Sequence, residues 1–259
     1  MALVRGALRK VILRPATRNT LLVLVALIAL VYLGFAVAIR AMPPGEGGDP
    51  IGTLFGFPTA YGTLATLLLT IGGFAAAAWA GAIAAGEWSW NTFRSAVARG
   101  ESRPRYVLAT LVATVLVAFV GWLVLLAVGL FGTIAGGMIT GGPVGDPGSA
   151  VDRLPGLVLA GWWAVSMEAA IGYGVAFVAR SQVAGIAALV AIYFAEQFGS
   201  VIIPADVLRF APIIAANSLV GEWARATSPD VLVPLVATTA YVLLAAGAAA
   251  LVARRSEIA

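Results

Sequence analysis

The segment GEWSWNTFRSAVARGESRPR, residues 86–105, lies between two long apolar runs at residues 58–85 and 106–131. It carries four arginines against two glutamates. Short loops rich in basic residues stay on the cytoplasmic side of a membrane, and the apolar runs beside them cross it. The stretch therefore predicts two membrane spans joined by a cytoplasmic loop, and we expect this loop to be where a partner binds.

The composition excludes a soluble fold and several kinds of site. The 259 residues are 61% hydrophobic and only 11% charged, so lipid must be the solvent for much of the surface. The absence of cysteine and histidine excludes disulfides, thiol catalysis, Cys/His zinc sites and imidazole acid–base chemistry. Because the basic residues lie mostly at the ends of apolar runs, we expect no nucleic-acid partner.

We predict an all-α integral membrane protein in which residues 1–259 form a single transmembrane domain. Its six spans are expected at about residues 21–39, 58–85, 106–131, 155–179, 183–203 and 231–252. All basic residues except Arg40, Arg153, Arg209 and Arg225 then lie on one side, as the positive-inside rule requires. Both termini are therefore predicted to be cytoplasmic, in a multi-pass protein of the cytoplasmic (inner) membrane. A signal peptide cleaved near residues 36–38 is the alternative for the first run, which exceeds the usual apolar length of about 7 to 15 residues.

Three segments between the predicted spans have compositions that predict structures other than membrane-spanning helices. Residues 40–57 and 132–154 are rich in turn-forming residues and predict loops on the outer side. Residues 204–230 are too polar to span and too apolar for a free loop, which predicts a re-entrant or interfacial segment before the sixth span.

The second apolar run is longer than the roughly 20 residues needed to cross a bilayer. It is therefore tilted, broken near Gly72 and Gly73, or extended beyond the bilayer. Small residues recur in it at every fourth position, at Gly73, Ala77, Gly81 and Ala85. Such a stripe lets a neighbouring helix approach closely, although an alanine-rich chain also produces it without a specific contact.

The loop itself has helical spacing. Trp90, Phe93 and Val97 recur at i, i+3 and i+7, which predicts one apolar helical face with Glu87 and Arg94 off it. Aromatic residues on such a face are typical anchors of a protein interface. The alternative is that the tryptophans of this loop lie at the headgroup level of the membrane.

Two acids fall inside predicted spans, Glu168 in the fourth and Glu196 in the fifth. An ionisable residue in lipid is costly unless it is paired or protonated, so each is a possible pathway residue for a cationic group or a proton. The alternative is a structural role, in which the carboxyl group forms a hydrogen bond with a neighbouring helix.

The stretch EWSWNTFRSAVARGESRPRYVLATL, residues 87–111, resembles the cytoplasmic segment between spans two and three in permease subunits of type-2 ABC exporters. That segment places an acid and a Gly-Thr before a half-helix, then a Ser-Arg at the next span. Two residues depart from the pattern: Asn91 stands in place of the glycine, and Thr110 in place of a lysine. The matching positions are Glu87, Thr92, Ser102 and Arg103.

The resemblance implies an ATP-driven exporter in which residues 86–100 form a short coupling helix that docks on a cytoplasmic ATPase. It implies two ATPase copies, a second permease copy or related permease, and ATP with Mg²⁺ on the partner rather than cofactors here. The chain has no phosphate-binding glycine loop, and its single lysine, Lys10, lies outside any glycine-rich turn, so we expect no ATPase activity of its own. The predicted coupling residues are Glu87, Trp90, Thr92, Phe93, Arg94, Val97, Ser102 and Arg103.

Other functions remain open. An ion-gradient-driven transporter or channel would need no ATPase and would use Glu168 in its pathway. A membrane scaffold is a further alternative, whereas an intramembrane enzyme has little support without histidine or cysteine.

Overall fold

The computed structural model describes residues 2–42, 53–142, 144–225 and 230–256. Residues 43–52, the centre of the predicted outer loop at 40–57, lie outside that part of the chain. The described residues are helical and contain no strand. The α-helices are α1 (Ala2–Leu13), α2 (Pro15–Ala41), α3 (Thr59–Ser89), α4 (Thr92–Ala98), α5 (Arg103–Thr140), α6 (Leu154–Ala179), α7 (Gln182–Gly199), α8 (Ala205–Leu208), α9 (Pro212–Arg225) and α10 (Leu232–Arg255), and a 3-10 helix covers Pro147–Arg153 between α5 and α6.

Six of these helices, α2, α3, α5, α6, α7 and α10, are long and apolar enough to cross a membrane. This confirms the all-α class and the predicted number of spans. Their bounds differ from the prediction mainly at two places. The helix α2 begins at Pro15, where a proline is favoured in the first turn, and α5 continues to Thr140.

The extension of α5 corrects the outer loop predicted at 132–154. The glycines of this region lie within the helix and admit close neighbours, because a side chain at Gly136 would overlap Phe55 and one at Gly132 would overlap Tyr32. Glycine therefore serves packing here rather than turn formation. The helix ends where Gly141 takes a φ of 72°, a left-handed conformation that glycine adopts at no steric cost.

The helix α3 is continuous through Gly72 and Gly73, which excludes a break there and leaves tilt or extension beyond the bilayer as the alternatives. Its 31 residues span about 46 Å at about 1.5 Å per residue, which exceeds a hydrocarbon core of about 30 Å. The small residues Gly73, Ala77 and Gly81 of α3 are buried and contact α6.

The contact between α3 and α6 forms the centre of the molecule. The small-residue stripe of α3 meets α6 in register: Gly73 faces Glu168, Ala77 faces Gly172, and Gly81 faces both Gly172 and Ala176. Each step is one helical turn, so the two backbones approach closely along three turns. The predicted stripe is confirmed as a helix-packing surface for these three members.

Two further elements lie outside the spans. The helix α1, which the sequence analysis did not predict, packs on α5 and α2 through buried Ala7 and Val11. The predicted re-entrant or interfacial segment contains α9, whose 14 residues span about 21 Å, too short to cross a membrane. One side of α9, with Ala216 and Leu219, is buried in the main core.

Candidate functional site

Glu87 joins five parts of the chain at one end of the helix bundle. Its side chain is fully buried near the end of α3, and its Oε1 accepts hydrogen bonds from Lys10 Nζ at 2.7 Å and Arg14 Nη2 at 2.8 Å. Its Oε2 accepts from Thr92 Oγ1 at 2.8 Å and from the Tyr106 hydroxyl at 2.6 Å. These five residues, the Glu87 cluster, connect α1, the α1–α2 junction, α3, α4 and α5.

The cluster satisfies a charge that burial would otherwise make costly. A buried carboxylate is tolerated when it is paired and when further hydrogen bonds occupy its remaining lone pairs. Lys10 also donates to the Tyr106 hydroxyl at 2.8 Å, and Arg14 Nη1 donates to the Ile83 carbonyl at 3.0 Å. Burial lowers the pKa of Lys10, and the Glu87 carboxylate opposes that shift.

Each carboxylate oxygen of Glu87 accepts two hydrogen bonds from side chains of this chain. The arrangement fixes the positions of helices relative to one another. It is an ionic connection between a short terminal helix and the two spans that flank α4.

The turn from α3 to α4 explains one departure from the resembled pattern. Asn91 has a φ of 54° and a ψ of 20°, the left-handed region in which glycine is favoured. Asparagine is among the few other residues that adopt this conformation readily. An asparagine can therefore replace the usual glycine without changing the path of the chain.

Phe93 lies in the core rather than on the surface. Its side chain is fully buried, with ring centroids 5.0 Å from Trp88, 5.6 Å from Phe177 and 6.0 Å from Tyr106. This aromatic cluster holds α4 against α3, α5 and α6. Phe93 thus acts as an anchor within the chain in this conformation.

Trp90 does not share a helical face with Phe93, which corrects the predicted Trp90, Phe93 and Val97 face. The side chain of Trp90 is 65% exposed, and the residue ends α3 before the turn at Asn91. Helical spacing does not extend across that turn, so the i, i+3 relationship has no meaning there. The Arg14 guanidinium lies 4.9 Å from the Trp90 ring, a cation–π contact that links this tryptophan to the Glu87 cluster.

The surface of α4 is polar and basic. Arg94 and Ser95 are exposed, Arg99 follows them at the end of the helix, and Val97 is half-buried. We call the exposed residues Trp90, Arg94, Ser95 and Arg99 the α4 surface.

Ser102 and Arg103 lie outside the Glu87 cluster. Ser102 is exposed and precedes α5 without a side-chain capping bond. Arg103 Nη1 donates to the Ser256 carbonyl at 2.7 Å, so it connects the loop to the C-terminal end of α10. A cation beside the last carbonyls of a helix is stabilising.

The two intramembrane acids have different surroundings. Glu196 accepts hydrogen bonds from the backbone nitrogens of Ile213 at 2.9 Å and Ile214 at 2.8 Å, and thereby caps the start of α9. Glu168 is 3% exposed and faces Gly73, and its Oε2 has no hydrogen-bond partner among the described residues. Glu196 therefore has a structural role as a helix cap, whereas Glu168 retains an oxygen that could still accept a hydrogen bond or bind a cation or a proton.

Sequence reasoning missed Lys10, Arg14 and Tyr106. The basic residues had served only to assign topology, and nothing in the spacing of residues 10, 14, 87 and 106 indicates that they meet. One signal was present, since the chain's single lysine lies in a segment with arginines and no acid.

The described residues also contain no group of three acids placed to hold a metal ion.

Comparisons of this chain with protein-family models, with curated proteins and with solved structures found no match.

Proposed function

We propose that this chain is the transmembrane subunit of an ATP-driven exporter of the type-2 ABC class. Two copies, or this chain and a related permease, would form the translocation pathway, and two cytoplasmic ATPase subunits would bind ATP and Mg²⁺. The observation that carries the proposal is a seven-residue helix, α4, that lies between two apolar helices and presents a basic surface. It falls within the segment whose residues resemble the coupling segment of that class.

The proposal requires that motion of a partner be passed to the spans. Transmission of this kind needs an element whose position both sites bias. The helix α4 is suited to this role because Phe93 anchors it in the aromatic cluster and Thr92 joins it to Glu87. A displacement of α4 would act directly on α3 and α5, and through Lys10 and Arg14 on α1.

The α4 surface is where the ATPase would bind in this scheme. Trp90 offers a large exposed aromatic ring, and Arg94 and Arg99 offer positive charge. Interfaces are enriched in tryptophan and arginine, which tend to carry much of the binding energy. We therefore expect the complementary surface of the ATPase to contain an apolar pocket bordered by acids.

The experiment is purification of the tagged chain with its ATPase from native membranes, followed by ATP hydrolysis and transport in proteoliposomes. Arg94→Glu should weaken ATPase binding at least about tenfold, because reversing a charge sets like charges against each other. Arg209→Glu is the matched control, since Arg209 is also exposed and lies far along the chain near α8. Normal binding and transport in Arg94→Glu would reject this role for α4.

A gradient-driven transporter or channel is the second candidate, favoured by one observation. Glu168 is buried, and its Oε2 has no hydrogen-bond partner within the part of the chain that the structure describes, which is unusual for an acid within a membrane span. In this case transport would proceed without ATPase and would follow a proton or ion gradient. Glu168→Gln should then abolish gradient dependence, whereas an unchanged rate and pH profile would remove Glu168 from any pathway.

A further inference from the structure

A cavity of about 580 Å³ lies between α1, α2, α3 and α5, with Val165 of α6 also in its wall; neither Glu168 nor any residue of the Glu87 cluster lines it. Pockets of this size are typical of sites for small molecules. Its walls are formed largely by apolar side chains, with Trp79 on α3 and Trp122 on α5 as the two aromatic residues. The lining residues on α5 run from Leu116 to Leu125, about 14 Å at about 1.5 Å per residue, so the cavity is elongated along the helix axes.

The cavity opens toward the outside of the helix bundle. Leu116 and Val120 of the spanning helix α5 line it and are 42% and 56% exposed, and Ile12 of the neighbouring, non-spanning helix α1 lines it and is 53% exposed. Exposed apolar side chains on membrane-spanning helices face lipid. A molecule from the bilayer can therefore enter between α1 and α5 without crossing the bundle.

The polar side chains of the wall lie at one end. Thr17, Arg18 and Thr20 are at the start of α2, beside α1, whereas the opposite end is bounded by residues such as Leu24 and Leu125. The Thr17 hydroxyl accepts a hydrogen bond from Trp79 Nε1 at 3.0 Å, so that threonine is held in place. The cavity is thus amphipathic along its length, with a basic end and an apolar end.

No acidic side chain is among the residues that line the cavity, and Glu87 is already paired with Lys10 and Arg14. Arg18 is exposed and forms no ion pair with any residue that the structure describes. Arg5 precedes the lining residues Leu8 and Ile12 by three and seven positions, which places it on the same face of α1. The end of the cavity therefore presents positive charge to whatever occupies it.

From this charge and shape we infer that the cavity binds an anionic phospholipid of the surrounding bilayer. One hydrocarbon chain lies between α2, α3 and α5, and the phosphate lies against Arg18, with Arg5 nearby. A neutral lipid would satisfy the apolar walls and leave the basic end without a partner. The lipid would join α1 to the spans independently of any ATPase, so this inference stands apart from the proposed function.

The test uses the full chain in nanodiscs of phosphatidylcholine with a small fraction of lipid that carries a brominated acyl chain. Bromine quenches tryptophan fluorescence on contact, and Trp79 and Trp122 line the cavity. Brominated phosphatidylglycerol should quench more than brominated phosphatidylcholine at the same fraction, and the excess should saturate. Quenching of tryptophans outside the cavity, such as Trp90 beside Arg14, is distinguished from quenching in the cavity by the variants Arg18→Gln and Gly121→Leu.

Two variants separate the parts of the site. Arg18→Gln should weaken the apparent affinity for phosphatidylglycerol about fivefold, the factor expected for one basic residue at an anionic membrane surface. Gly121→Leu should abolish the excess quenching, because Gly121 lines the cavity and a Cβ there meets nothing within 4 Å. Gly247→Leu is its control, since Gly247 in α10 also has open space and lies outside the cavity.

Size-exclusion chromatography and circular dichroism establish that each variant is folded. Equal quenching by the two lipids in the wild type would overturn the inference, as would an undiminished phosphatidylglycerol preference in Arg18→Gln. If Gly121→Leu does not fold, Arg18→Gln still decides the point, because Arg18 is exposed and its replacement leaves the core intact.

Discussion

Gly73 of α3 and Glu168 of α6 occupy complementary positions: the Glu168 carboxyl group fills the volume that a side chain at Gly73 would need. This relationship explains how a buried acid is accommodated in the contact between α3 and α6. A substitution at either residue therefore changes the packing of the other.

Replacing Gly73 with alanine should displace the Glu168 carboxyl group from its notch. We expect Gly73→Ala to lower the free energy of unfolding by about 1–3 kcal/mol, the usual range for overpacking a core. In a Glu168→Ala background the same change should be neutral or slightly stabilising, because alanine is the better helix former. Thermal unfolding in detergent measures this cycle.

Gly34→Ala is the control for that cycle, since a Cβ at Gly34 meets nothing within 4 Å. Additive effects of Gly73→Ala and Glu168→Ala would contradict the coupling.

Removing the charge of Glu87 should destabilise the junction of α1, α3, α4 and α5. Glu87→Ala leaves Lys10 and Arg14 without their partner, and loss of one member of a buried ion pair costs about 3–5 kcal/mol. The readout is the unfolding temperature, with Glu101→Ala as control because Glu101 is an exposed acid in the same loop. Similar unfolding temperatures for the two variants would show that the Glu87 cluster contributes little.

Phe93 and Trp90 should respond in opposite ways to truncation. Phe93→Ala removes a fully buried ring and should cost about 3–5 kcal/mol of stability. Trp90→Ala should change stability little, because that side chain is 65% exposed, yet it should weaken binding of the proposed ATPase. Unfolding temperature and ATPase co-purification measured on the same samples separate the two effects; a larger loss of stability in Trp90→Ala would contradict this assignment.

The bond from Arg103 to Ser256 predicts a local effect at the end of α10. Arg103→Ala should increase amide hydrogen exchange over residues 250–256, because the last carbonyls of the helix lose a charged donor. Exchange in the centre of α10 should remain as in the wild type. Arg105→Ala is the control, since Arg105 is exposed two residues away. Equal exchange in both variants would mean that the bond does not hold the terminus.

The membrane environment, the all-α class and the number of spans could all be predicted from composition and apolar run length. An apolar run of about 20 residues favours a helix in lipid, because a helix satisfies the backbone hydrogen bonds within one segment. The small-residue stripe of α3 could also be predicted, because its four-residue period is a property of a single helix. Span limits were less accurate, as at Gly136, because a glycine that ends a helix in water can lie inside one when a neighbour such as Phe55 covers it.

Which side chains of residues 86–105 are buried could not be predicted, because their burial depends on helices that are distant along the chain. Glu87 and Phe93 were expected to act together with Trp90 toward a partner, but Lys10, Arg14 and Tyr106 bury Glu87 and the aromatic cluster buries Phe93. The hydrogen bonds of Glu87 join it to residues 77, 73 and 19 positions away along the chain, and helical periodicity predicts no contact over such separations. A helical pattern identifies the face of one helix; which neighbour covers that face is decided by how the helices pack.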